Sequence, residues 1–98
     1  IEDYFSRLLQ KSSLQLSDIG TVVPHQASHL SLEHMRKRLR VPESALIDVY
    51  RFYGNQVAAS IPTALHEAVI GGRFTADKPV MLIGTAAGLT LAGMVLLP

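Results

Sequence analysis

The stretch Val22-Val23-Pro24-His25-Gln26-Ala27-Ser28 constrains this chain more than any other, because it runs a short apolar strand into a histidine and then into a helix start. Thr21-Val22-Val23 is β-branched and closed by Pro24, which fits a short strand of a buried parallel sheet. In an open α/β sheet, side chains leaving the carboxyl end of a strand project into the crevice where ligands bind, so His25 is placed to act on something. A second polar stretch, Tyr53-Gly54-Asn55-Gln56, stands between an apolar strand candidate at 46–49 and a helix candidate. It is expected at the same edge of the sheet, so that two strand ends converge.

The flanking segments supply helices for such a sheet. Ile1, Phe5, Leu8 and Leu9 recur at helical spacing, with Glu2, Asp3, Arg7, Gln10 and Lys11 turned outward, so an amphipathic helix opens the chain. It starts without a cap or an initiator methionine, which reads as a piece of something longer. Ser28 is the expected N-cap of a helix to about Leu39, with Leu32, Met35 and Leu39 in one stripe. After a break at 41–44 and the strand candidate at 46–49, the Gly54 turn leads to a helix ending near Ile70. Its expected inward residues are Ile61, Leu65, Ala68 and Val69, with Pro62 in the first turn and Gly71-Gly72 as the stop. Lys78 to Ile83 is the most apolar strand candidate, and the small residues Gly84-Thr85-Ala86-Ala87-Gly88 lead into Leu89–Leu96. About five residues cannot make a parallel crossover, so these last two strands should pair antiparallel. The expected fold class is α/β, with a mixed sheet whose last strand is antiparallel, flanked by helices.

Composition limits the function classes. At 98 residues the chain makes one domain at most, with room for a modest core. Hydrophobic residues make up 48% and charged residues 17%, and the mean hydropathy is +0.25, so some apolar surface is expected to meet another protein surface. A net charge of +1 gives no general attraction for nucleic acid or anionic lipid, and no apolar run is long enough to span a membrane. With zero cysteines there is no disulfide, no thiolate zinc site and no thiol nucleophile in this chain. Nothing argues for secretion, so a soluble, cytoplasmic setting is expected.

The ordinary alternatives are specific too. A histidine after a strand is often a satisfied structural side chain, and Asn55 after Gly54 is common turn chemistry. Their placement after two strand candidates, with Ala58, Ala59 and Ser60 letting a ligand or a second backbone come close, favours function. His25, His29 and His34 do not share one helical face, and no carboxylate stands beside His25, so a metal site is not expected. The basic run Arg36-Lys37-Arg38-Leu39-Arg40 has no interleaved aromatics and reads as a solvated helix end.

With these residues in hand, the chain resembles the C-terminal half of β-ketoacyl-ACP synthase III, a condensing enzyme of the thiolase superfamily. Val23-Pro24-His25-Gln26-Ala27 looks like that family's histidine motif and Tyr53 to Pro62 like its asparagine motif; Ala87-Gly88-Leu89-Thr90 is similar to its C-terminal glycine-rich turn. The resemblance implies a two-halved, layered fold of which residues 1–98 form the C-terminal half-domain, the nucleophilic cysteine lying in an absent N-terminal half. It implies decarboxylative condensation of an acyl thioester with malonyl-ACP, His25 and Asn55 being the catalytic donors to the enolate oxygen. It also implies that the backbone N–H of Ala87 joins the oxyanion hole, and that Gln26 and the positions of Ser28 and Leu30 meet substrate or carrier. The family commonly has Asn and Arg at the last two positions. No cofactor is implied, acyl-CoA and malonyl-ACP being substrates; the implied partners are the N-terminal half, the carrier protein and, at full length, a second copy. An acyltransferase of the same superfamily and a non-catalytic subunit remain as alternatives.

Overall fold

The computed structural model describes residues 2–72, 74, 78–86 and 90–97. Three strands make one sheet in the order β1 (Thr21–Pro24), β2 (Val80–Ala86), β3 (Thr90–Leu96). β1 runs parallel to β2, with Thr21 beside Val80 and Pro24 beside Ile83. β2 and β3 are antiparallel, from Val80 opposite Leu96 to Ala86 opposite Thr90, as the short connection requires.

Alternation along the strands sorts the apolar residues onto two faces. On one face Val22, Met81 and Ile83 pack against Phe5 of α1 (Glu2–Lys11) and Leu32, Met35 and Leu39 of α2 (His29–Leu39). Neighbouring Val23 and Val80 point the other way, into a cluster with Ile47, Val49, Ala64 and Ala68. Every residue of β1 is therefore buried, as expected of a strand covered by helices on both faces. Each fully buried aliphatic side chain of this kind contributes about 1.5–3 kcal/mol over exposure.

Local chemistry sets the helix ends. Ser28 Oγ accepts the Ser31 N–H at 3.0 Å and so caps α2. α2 stops at Arg40, which takes a left-handed φ of 58° and donates its N–H to the carbonyls of Arg36 and Lys37. Arg36 folds back onto Glu33 at 3.2 Å, and this hydrogen bond holds the Glu33 carboxyl below its usual range. A short helix, α3 (Tyr50–Tyr53), precedes α4 (Ser60–Ile70), which carries Pro62 in its first turn and ends at Gly71. β3 passes close under α1: a Cβ on Gly93 would lie 2.7 Å from Leu8 Cδ2 and 3.2 Å from Tyr4 Cε1.

Two expectations need correction. Residues 46–49 touch the sheet through one parallel bridge, Val22 with Leu46, and Ile47 N–H donates to Val22 O at 3.0 Å. No regular strand forms there, because Pro24 has no N–H with which to extend the pairing. In α4 the inward stripe is Ser60, Ala64 and Ala68, with Ile61 and Leu65 beside it, whereas Val69 is 55% exposed. The small residues at spacing four let α4 lie close on the sheet, and Val69 falls outside that stripe.

Candidate functional site

His25 leaves the carboxyl end of β1 half-buried, and its N–H donates to Ile83 O at 2.9 Å, so its main chain is fixed to β2. On the opposite side of β1, Gln26 reaches the segment that leads to α3. Its Nε2 donates to Pro24 O at 2.9 Å and Ile47 O at 3.1 Å, and its Oε1 accepts the Val49 N–H at 2.9 Å. A second link joins His29 Nδ1 to Asp48 Oδ2 at 3.2 Å, while Asp48 Oδ1 accepts the Tyr50 N–H at 3.1 Å. The loop after β1 and the approach to α3 are thus fastened to each other through residues 47–49, whereas the bonds of Asn55 stay within its own loop.

Asn55 lies in the exposed connection between α3 and α4. Its Oδ1 accepts the Val57 N–H at 2.8 Å and lies 3.5 Å from the Ser60 hydroxyl, which also accepts the Gln56 N–H at 3.1 Å. An amide oxygen occupied by an N–H donor fixes the carboxamide's orientation, so the Nδ2 donors point away from that turn. Val57 itself takes a left-handed φ of 54°. Across the loop, Tyr53 donates its hydroxyl to Glu67 Oε1 at 2.7 Å, and this bond raises the phenol's pKa.

The remaining site candidates separate. Gln26 is 1% exposed with both polar ends committed to backbone, so the expected contact with substrate or carrier is replaced by an internal one. Ser28 is the cap of α2, and Leu30, 80% exposed, stands outward on that helix. Ala87 lies outside the described residues. Among the described residues no three His, Cys, Asp or Glu side chains gather as a metal set, and no helix is long and apolar enough to cross a membrane. An open cleft of about 760 Å³ sits at the other end of the strands, beside Gly20 and Lys78, and does not include His25 or Asn55. Phe52, Val57 and Ile70, all at least 64% exposed, give the α3–α4 side an uncovered apolar surface. The part of Gln26 was missed from sequence; the signal was a carboxamide two residues after a strand-ending proline.

Comparison with known proteins supports the fold. The profile of the family 3-oxoacyl-[acyl-carrier-protein (ACP)] synthase III C terminal matches residues 9–97. The β-ketoacyl-[acyl-carrier-protein] synthase III of Geobacillus kaustophilus is 37% identical over 90 residues, covering 92% of this chain and 29% of the relative. That of Clostridium tetani is 41% identical over 86 residues, covering 88% and 26%. The crystal structure of 3-oxoacyl-(acyl carrier protein) synthase III from Pseudomonas aeruginosa superposes with a TM-score of 0.90 at 33% identity, covering 98% of this chain and 30% of that one. The chain spans less than a third of the length of these relatives. Its helix-flanked mixed sheet is that of the thiolase-like synthases, and the chain belongs to the 3-oxoacyl-[acyl-carrier-protein] synthase III C-terminal family.

Proposed function

We propose that this chain is the C-terminal part of a condensing enzyme that joins an acyl thioester to malonyl-ACP, working with a cysteine-bearing N-terminal half. The cysteine thiolate takes the acyl group from acyl-CoA and the CoA thiolate leaves. Malonyl-ACP then loses carbon dioxide, and the electron pair of the broken carbon–carbon bond enters a thioester enolate. Its carbon attacks the acyl-cysteine and expels the cysteine thiolate. His25 and Asn55 donate to the thioester oxygen as it gains charge, and the Ala87 N–H serves the acyl oxyanion. No cofactor is needed. Without a thiol, the 98 residues alone form no acyl-enzyme.

The observation that carries this reading is the orientation of Asn55: its oxygen is held by the Val57 N–H, so the group left to face a ligand is a donor, as a developing anion requires. One such donor contributes about 2.7–4 kcal/mol in a transition state, or about 100- to 1,000-fold in rate. In the full-length parent, His25→Ala and Asn55→Ala should each cut carbon dioxide release by that factor and leave acyl-cysteine formation and melting temperature nearly unchanged. Wild-type decarboxylation in both variants would refute the assignment. A second reading, acyl transfer to another acceptor, draws on the outward apolar Leu30 where the resemblance implies an Arg for the carrier. A full-length enzyme that acylates its cysteine yet releases no carbon dioxide from malonyl-ACP would favour it.

A further inference from the structure

The pairing on the 46–49 side of β1 stops at Pro24, and the groups it leaves behind can be named. Val22 bridges Leu46, and Ile47 N–H donates to Val22 O. In a parallel ladder the next rung would send the N–H of residue 24 to Ile47 O and the Val49 N–H to the carbonyl of residue 24. Pro24 has no N–H to send. The three stranded groups, Ile47 O, Pro24 O and Val49 N–H, are all found on one side chain: Gln26 Nε2 donates to both carbonyls and its Oε1 accepts from Val49. A carboxamide supplies two donors and an acceptor, whereas a carboxylate has no donor and a hydroxyl has only one. Its 1% exposure keeps water from substituting.

We propose that Gln26 is a side-chain rung that holds the end of β1 and the 46–49 segment apart by the width of a carboxamide, and so acts as the positioning residue for His25 and Asn55. Two facts converge on it. His25 is its chain neighbour and is tied to β2 on the far side. Val49, which it grips, leads directly into α3 and thence to Asn55. A continuous backbone ladder would bring the strand ends to ordinary sheet spacing and narrow the space between the two loops. Proline opens the seam, and the carboxamide fixes how far. The inference rests on the reading of His25 and Asn55 as the donor pair.

The test uses the full-length parent, with His25→Ala as reference. Gln26→Met keeps length and volume but removes all three bonds. The Val49 amide should then exchange with solvent at least about 10-fold faster, and malonyl decarboxylation should fall about 100-fold, as for a reacting group misplaced by about 1 Å, while cysteine acylation stays within about 3-fold. Gln26→Glu adds a readout that mere packing would not move. Its neutral form regains one donor, so its decarboxylation relative to wild type should climb as the pH falls. If Gln26→Met does not fold, that profile decides alone, and a flat one overturns the proposal. Wild-type decarboxylation by Gln26→Met, with His25→Ala impaired, also overturns it. Wild-type decarboxylation by His25→Ala refutes instead the donor-pair reading, and the positioning role falls with it.

Discussion

Leu30 and Leu32 stand two residues apart on α2, and they make a clean test of how this helix divides solvent from core. Leu32 is 1% exposed and packs with Val22, Met35, Met81 and Ile83, whereas Leu30 is 80% exposed. Truncation to alanine removes the same three carbons at both sites, and the helix-propensity change is the same and small. At about 0.8 kcal/mol per buried carbon, the transfer term at Leu32 is about 2.4 kcal/mol. The site lies between a sheet and two helices that cannot both close in, so the residual cavity should bring Leu32→Ala to about 3–4 kcal/mol. Leu30→Ala keeps little burial to lose and should cost about 0.5 kcal/mol or less. Urea unfolding of the full-length parent, followed by exchange of the Val22 and Val23 amides, reads the difference as a shift in midpoint at constant slope. Equal costs at the two positions would refute the two-faced reading of α2 and mean that Leu30 is covered in the parent protein.

Two further outcomes follow from the loop that carries Asn55. Val57, β-branched and held at a φ of 54°, bears left-handed strain of about 1–2 kcal/mol. Its side chain is 73% exposed, so Val57→Gly should stabilise the parent slightly, by about 0.5 kcal/mol after glycine's chain entropy, while slowing decarboxylation as the loop loosens. A lower melting temperature would contradict that. Tyr53 donates to Glu67, which raises its folded pKa above the unfolded value of about 10. The stability linked to that bond is therefore complete below about pH 10 and is lost as the pH rises through the folded pKa. Melting temperature above pH 10 should fall more steeply for the wild type than for Tyr53→Phe; parallel declines would remove the linkage.

What the sequence made legible was whatever repeats or punctuates. The Leu32, Met35 and Leu39 stripe, the Ser28 cap, the Gly71 stop and the antiparallel closing hairpin each rest on a local rule, and each is present. The features that escaped depend on a partner distant in sequence or on a residue acting against type. Residues 46–49 have strand composition, yet the proline that interrupts their pairing belongs to another segment. Arg40 ends α2 in a conformation usually left to glycine or asparagine. At the site, the loop of His25 follows from the end of β1, whereas Asn55 follows a segment that forms no regular strand, and Gln26 serves groups at Ile47 and Val49 that lie 21 and 23 residues away. Asn55 kept its ordinary turn role through Oδ1, and that role is what turns its Nδ2 outward.

The sheet also carries an order of assembly. β2 and β3 meet across a few residues, Ala86 facing Thr90, and a hairpin of that kind closes in microseconds. β1 must find β2 with Thr21 beside Val80, after most of the chain has been looped out, and that closure entropy is lost before any contact offsets it. The strand that leads into His25 therefore joins last, onto a template already made. Truncations in the hairpin should slow folding, whereas Val23→Ala should chiefly speed unfolding.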